Sequence, residues 1–362
     1  HDALPISTNT TWTTGTTYSL GGQIYVKNNA TLTIEPGVVI ASNTPGAGLF
    51  ITKGSKLIAE GTVTSPIVFT SGNSVGNRAR GDWGGVILLG KGSFNINSGI
   101  NNIEGIPSSP DTAYGGGATP DDNDNSGSLK YVRIEYAGYT YGLAGSNTEI
   151  NGLTMGAVGR GTKIDYVQVS YANDDSFEWF GGAVDCSHLV AFNGLDDDFD
   201  TDNGFSGKVQ FCLAIKQPTA ADASDSNCFE TDNNSTSAVG TSFTRAIFSN
   251  CTLVGPTYRS TLPSGGTLQA KHRRGAHMRR NTQLQIWNSI FMDFLDGVVV
   301  DGNTTITNAT NGTLKFKNNI IAGTAAAKVA VKVESTATTF DAATWFTSNS
   351  NTSRSEEHTS EL

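Results

Sequence analysis

Positive charge is in short supply in this 362-residue chain: 24 Lys and Arg face 33 Asp and Glu, a formal charge of −9. That balance argues against nucleic acid as a partner, because neutralising phosphates needs a basic face. No apolar run approaches the roughly 18 residues of a membrane span. The four cysteines, at 186, 212, 228 and 251, form no C-x-x-C pair, which speaks against a zinc ribbon. They can pair as disulfides in an exported protein or sit as small buried hydrophobes. A G-x-S-x-G elbow, an H-E-x-x-H and a Gly-rich phosphate loop followed by Lys are all missing. No long stretch carries a helical period.

What the chain has in quantity is glycine, 42 residues, with Asn, Thr and Ser filling much of the remainder. Charged residues are only 16%. That profile suits many short strands joined by tight turns, since Gly and Asn tolerate positive φ. The two ends read differently from the rest. His1–Ile6 looks like the in-frame translation of one short-read sequencing adapter and Arg354–Leu362 like that of its partner, so a native fragment of about Ser7 to Ser353, cut at both sides, is expected. The domain expectation is one β-helix over 8–340, with 1–7 and 354–362 set apart and 341–353 a cut end.

A repeat organises the middle. Up to about residue 90, short alternating strands such as Ala30–Ile34, Leu49–Thr52 and Lys56–Ala59 are broken by turn residues. Residues 91–128 are Asn-, Gly- and Pro-rich and read as a long excursion from the coil. From residue 129 the period becomes countable. Tyr131-Val-Arg-Ile-Glu-Tyr-Ala137 matches Tyr166-Val-Gln-Val-Ser-Tyr-Ala172, and His188–Gly194 and Phe211–Gln217 follow at spacings of 22 and 23. Ser176–Gly182, Asp198–Gly204 and Cys228–Asn234 are one F-[DE]-x-[FD]-[GN]-[GN] motif three times. A unit of this length cannot bury its apolar side alone, so turns must stack. An immunoglobulin-like sandwich does not explain an in-register repeat.

The segments Thr31–Ile40, Leu49–Thr62 and Ser65–Ser71 resemble the opening coils of the pectate-lyase-like superfamily, and the whole resembles exported bacterial surface proteins. The resemblance implies an all-β right-handed parallel β-helix, a solenoid with loop excursions, located outside the cell or on its outer surface. It carries no catalytic residue with it, and the catalytic residues stay unassigned.

Stacking places equivalent residues about 4.8 Å apart, and alternation assigns faces. Phe177, Phe199 and Phe229 are expected inside, with Trp179, Thr201 and Thr231. Glu178, Asp200 and Glu230 are then expected on a flat outer face, joined by Asp198, Asp202 and Asp232, with Asp174, Asp175, Asp196 and Asp197 in the preceding loops. Like charges at that spacing call for a hard cation, a basic partner or full solvation. Ca²⁺ takes six to eight oxygens in a forgiving geometry, and Asp200, Asp202, Glu230 and Asp232 supply such a set; a solvated acidic stripe is the other reading. Lys271–Arg280 is the one dense basic cluster. Arg273, Arg274, Arg279 or Arg280 can clamp an acidic sugar, or neutralise the acidic stripe. His188, His272 and His277 show no metal spacing. Cys212 and Cys251 hold the same place in their repeats, so adjacent turns bring them within disulfide reach; a reduced stacked pair fits equally.

The leading expectation is a secreted or surface module, non-catalytic, that binds an extracellular polysaccharide or other ligand with Ca²⁺ on its acidic face. A Ca²⁺-dependent lyase or glycoside hydrolase on acidic glycans is the alternative, since clustered aspartates can flank a glycosidic bond. A structural stalk is the third. A binding module needs exposed aromatics such as Tyr136, Tyr139, Tyr141 or Tyr171.

Overall fold

Single residues in the left-handed region turn the chain at fixed points. Tyr131, Tyr166, His188, Phe211, Asn250, Asn288 and Asn318 all have φ between 49° and 60°. Each separates two extended segments, so one turn of chain delivers two segments to one sheet and a third to another. The computed structural model describes residues 4–96, 98–142, 148–238, 242–257, 266–323, 329–335 and 339–354. Over these the chain is a parallel β-helix with a 19-stranded and a 10-stranded sheet. The register is the one the repeat predicts: Val132 lies beside Val167, Gln168 beside Val190, and Val190 beside Leu213.

The ten-stranded sheet carries the repeated motif. Phe177–Phe180, Phe199–Asp202 and Phe229–Thr231 pair in parallel, Phe177 against Phe199 against Phe229. All three rings are fully buried, with centroids 5.7 and 5.3 Å apart along the column. Trp179, Thr201 and Thr231 also face inward; the two threonines satisfy one another through a 2.9 Å hydroxyl bond. The cysteines are free, buried thiols, with Cys212 and Cys251 in neighbouring turns. No disulfide is formed between them.

The 91–128 excursion is packed onto the sheet. Its Phe94, Ile103, Ile106 and Tyr114 cover the outward residues Phe50, Ile87, Leu89 and Phe180 of the ten-stranded sheet in a second apolar cluster. Near its far end Asp122 and Asp124 close the excursion on itself by accepting from the backbone N–H of Ser93 and Lys91 at its start. The acidic run therefore works as a clasp. The stack also continues past residue 340: the helix Ala342–Ser348 buries Trp345 and Phe346, and the strand Thr352–Arg354 adds beside Ile320–Ala322. At the other end Ile6 bridges to Val26. Residues 1–3 and 355–362 of the two adapter-like ends lie outside the described residues.

Because the aromatic column is shared between turns, one truncation should be felt on both sides. Phe199→Ala is expected to cost about 3–5 kcal/mol by creating a cavity, read as a lowered urea midpoint; a loss under about 1 kcal/mol would mean the column does not carry the core.

Candidate functional site

The same register that stacks the rings inside lines up Glu178, Asp200 and Glu230 outside. The expected flat face is instead the floor of a cavity of about 430 Å³. Loops raise its walls. Glu104 comes from the 91–128 excursion, Glu149 from the segment before the strand Leu153–Gly156, and Asp222 and Asp225 from the loop before Phe229–Thr231. Asp174, Asp175, Asp196 and Asp197 line it from the turns leading into the floor strands. Eleven carboxylates thus surround one space, and Arg279 is the one cation among its lining residues.

Some of these oxygens are engaged. Asn151 donates its side-chain amide to Glu178, Asp175 accepts from the Asp197 N–H at 2.9 Å, and Asp197 accepts from the Asn227 N–H. Others are not: Oδ1 of Asp196 and Oδ1 of Asp200 are enclosed and have no hydrogen-bond partner among the described residues. Three sets of ligand-grade oxygens lie within 4.8 Å of one another, namely Asp174/Asp175/Asp196, Asp175/Glu178/Asp200 and Asp197/Asp200/Glu230. Asp175 and Asp200 each belong to two sets.

Burial, then neighbouring carboxylates, raises the pKa of most of these groups. Burial and Glu149 push Glu104 to about 7. Burial and Glu230 push Asp197 to about 7, although Lys216 pulls it back. Asp174, Asp175, Glu178, Asp196 and Asp200 are raised for the same reasons, burial first. Glu230 goes the other way: burial opposes ionisation, yet the His277 ring 3.5 Å away and the charge of Arg279 hold it low.

The residues that sequence reasoning placed together are divided. Glu178, Asp200 and Glu230 share the cavity. Asp198 was expected outside and is not; it is fully buried on the inner side, 3.4 Å from the Nζ of Lys216, itself 1% exposed. Alternation fails there because Asp198 lies in the turn before its strand begins. Asp202 binds the adjacent Asn203 N–H and is raised to about 8 by burial and Asp232. Asp232 is held by Arg279 at 2.8 Å and Arg280 at 2.6 Å. Arg273 and Arg274 lie on the other flank, with Asp225, Asp296 and Glu334. All four arginines therefore have carboxylate partners within the chain. His277 stands between Glu230 and Asp301 at 3.5 and 3.2 Å. Glu334, which completes a His277/Asp301/Glu334 set, is already ion-paired with Arg274 and Lys332.

Glu104, Glu149, Asp222 and Asp225 were not anticipated, because they stand in loops that no repeat covers. The donor set is all oxygen and mostly carboxylate, which suits a hard cation better than a soft one. Arg279 is poorly placed to act as a base: against its own burial, Glu230 and Asp232 raise its pKa further. The chain matches a family model described as a pectate-lyase like beta helix domain over residues 5–361. No curated protein and no solved structure matches it.

The raised carboxylates fix a pH dependence. A carboxyl whose folded pKa lies above its unfolded value stabilises the fold below about 4, and that contribution is lost as pH rises through the folded pKa. In EDTA, the melting temperature should therefore fall between about pH 5 and pH 8, as pH rises through Glu104 and Asp197 near 7 and Asp202 near 8. A melting temperature that is flat or rising across that range in EDTA would show that the carboxylates are already compensated.

Proposed function

The chain belongs to the pectate-lyase-like β-helix family, and from that premise we propose that it is an exported or cell-surface module, non-catalytic, whose acidic cavity holds Ca²⁺ and through it binds an anionic glycan. The observation that carries this reading is the pair of enclosed, partnerless carboxylate oxygens on Asp196 and Asp200 within three overlapping oxygen sets. A protein that buries carboxylates without countercharge bears a desolvation cost that a divalent cation removes. Asp175, Glu178, Asp200 and Glu230 are the residues to hold it, and the ion would supply positive charge to which a carboxylated sugar can add as a further ligand. Extracellular fluid, where Ca²⁺ is abundant, suits ligands of this type.

A lyase needs a base beside the cation, and Arg279 is bound by two carboxylates. That arrangement supports a counter-ion role for it and favours binding over catalysis.

The test is thermal unfolding at neutral pH in EDTA and in millimolar Ca²⁺, for the wild type and for Glu178→Gln/Asp200→Asn. Ligand at a hundred times its Kd stabilises by about 2.7 kcal/mol, so a rise of several degrees is expected in the wild type and its loss in the variant. The variant should also melt higher than the wild type in EDTA, since it removes two buried carboxylates. Absence of any Ca²⁺ shift in the wild type would refute the proposal. Appearance of ultraviolet-absorbing unsaturated product from an acidic glycan would replace it with the lyase reading.

A further inference from the structure

One corner of the coil is turned by a single left-handed residue, and the residue after it points into the core. Phe211 and Asn250 stand at this corner in consecutive turns, at φ 60° and 57°, and the residues that follow them are Cys212 and Cys251. Leu213 pairs with Thr252, so the two cysteines are neighbours in register. The Cys212 carbonyl accepts from the Thr252 N–H at 2.9 Å. Both side chains are buried, at 3% and 1% exposure. The other two cysteines have no such neighbour: Cys186 pairs with Ile164 and Val209, and Cys228 precedes Phe229, which pairs with Phe199 and Ala276.

Later turns show which way a side chain points at this corner. There the backbone N–H of one residue is taken by the side chain one turn on. Cys251 donates to Ser289 Oγ at 3.1 Å, Ser289 to Asn319 Oδ1 at 2.8 Å, and Asn319 to Asn351 Oδ1 at 2.9 Å. One turn on from Cys212, that place is held by the Cys251 sulfur. Sulfur is a weak acceptor, so at this step the ladder trades a good hydrogen bond for the approach of two thiols. The approach is unequal. The Cys212 thiol beside it holds the Cys251 pKa below the ordinary thiol value, against burial, while burial pushes the Cys212 thiol up. Thiolate is the form that attacks a disulfide, and it forms more readily on Cys251.

Equivalent residues of neighbouring parallel strands lie about 4.8 Å apart, within the roughly 4.4–6.8 Å between the Cα atoms of a disulfide. Bonding draws the Cβ atoms to about 3.8 Å, roughly 1 Å closer than the strand spacing. The corner has room to give, because Cys212 and Cys251 fall between the strands Lys208–Gln210 and Leu213–Ile215 and between Ile247–Ser249 and Thr252–Val254.

We propose that Cys212 and Cys251 are a redox pair that closes to a turn-to-turn disulfide under oxidising conditions, with a low-molecular-weight disulfide as the oxidant. The Cys251 thiolate attacks one sulfur of the oxidant and releases the first thiolate. Cys212 then attacks the Cys251 sulfur of the mixed disulfide and releases the second. Each leaving thiolate takes up the proton that the attacking thiol gave up, so the protein loses two hydrogens and the oxidant becomes two thiols. The bond closes residues 213–250 into a loop. Asp222, Asp225 and Glu230 of the acidic cavity lie on that stretch, so the bond clamps the coil that supplies them. The pairing depends on register alone and stands whether or not the cavity holds an ion.

Peptide mass mapping tests it. The purified protein is equilibrated in glutathione buffers from fully reduced to fully oxidised, then denatured, alkylated and digested without reductant. In the reduced buffer all four cysteines should be alkylated. In the oxidised buffer Cys186 and Cys228 should be alkylated and Cys212 and Cys251 recovered as one linked peptide, lighter by two hydrogens. The linked protein should melt several degrees above the reduced one, a difference that Cys251→Ser removes. Four alkylated cysteines in every buffer, a link to Cys228 or between two chains, or glutathione left on Cys251 would each overturn the proposal. Equal melting temperatures of linked and reduced protein would overturn the clamp. The mapping needs only the wild type, so it decides the matter even if Cys251→Ser fails to fold.

Discussion

Parallel strands paired in register set equivalent residues of successive turns about 4.8 Å apart, and both the core and the cavity inherit that distance. For rings it is close to the spacing at which aromatic pairs attract, so Phe177, Phe199 and Phe229 become a continuous inner column. For carboxylates the same distance is repulsive, and Glu178, Asp200 and Glu230 are their immediate outer neighbours. One geometric repeat stabilises the inside and loads the outside.

The chain handles that load in three ways. Inside, Asp198 is neutralised by the buried Lys216; such a pair brings little net stability, but losing one partner would strand the other charge. At the rim, Arg279 and Arg280 close on Asp232, and Arg279 reaches Glu230 as well. Within the cavity Asp175, Glu178, Asp196 and Asp200 have no ion-pair partner among the described residues, and burial first, then neighbouring carboxylates, raises their pKa values. Fold stability and the proposed Ca²⁺ site meet at Asp175, Glu178 and Asp200.

The excursion decides where the cavity begins. Along the outer face of the ten-stranded sheet the residues run from Phe50 and Ile87 to Thr154, then Glu178, Asp200 and Glu230. Phe94, Ile103 and Ile106 cover the apolar part, and Glu104, in the same excursion, stands over the acidic part. A loop that shields hydrophobic surface thereby encloses the carboxylates and raises their pKa values.

The sequence by itself determined the parallel stack, its register and the inner column, because each follows from a motif repeated along the chain: Phe177, Phe199 and Phe229 hold the same place in it, although a loop lengthens the second interval from 22 to 30 residues. It also determined that Glu178, Asp200 and Glu230 would be neighbours. Only the tertiary structure decided that Asp198 turns inward to Lys216, that Arg273 and Arg274 part from Arg279 and Arg280, and that Glu104, Glu149, Asp222 and Asp225 wall the site. Those placements depend on the paths of irregular segments, where no periodicity ties position in the chain to position in space.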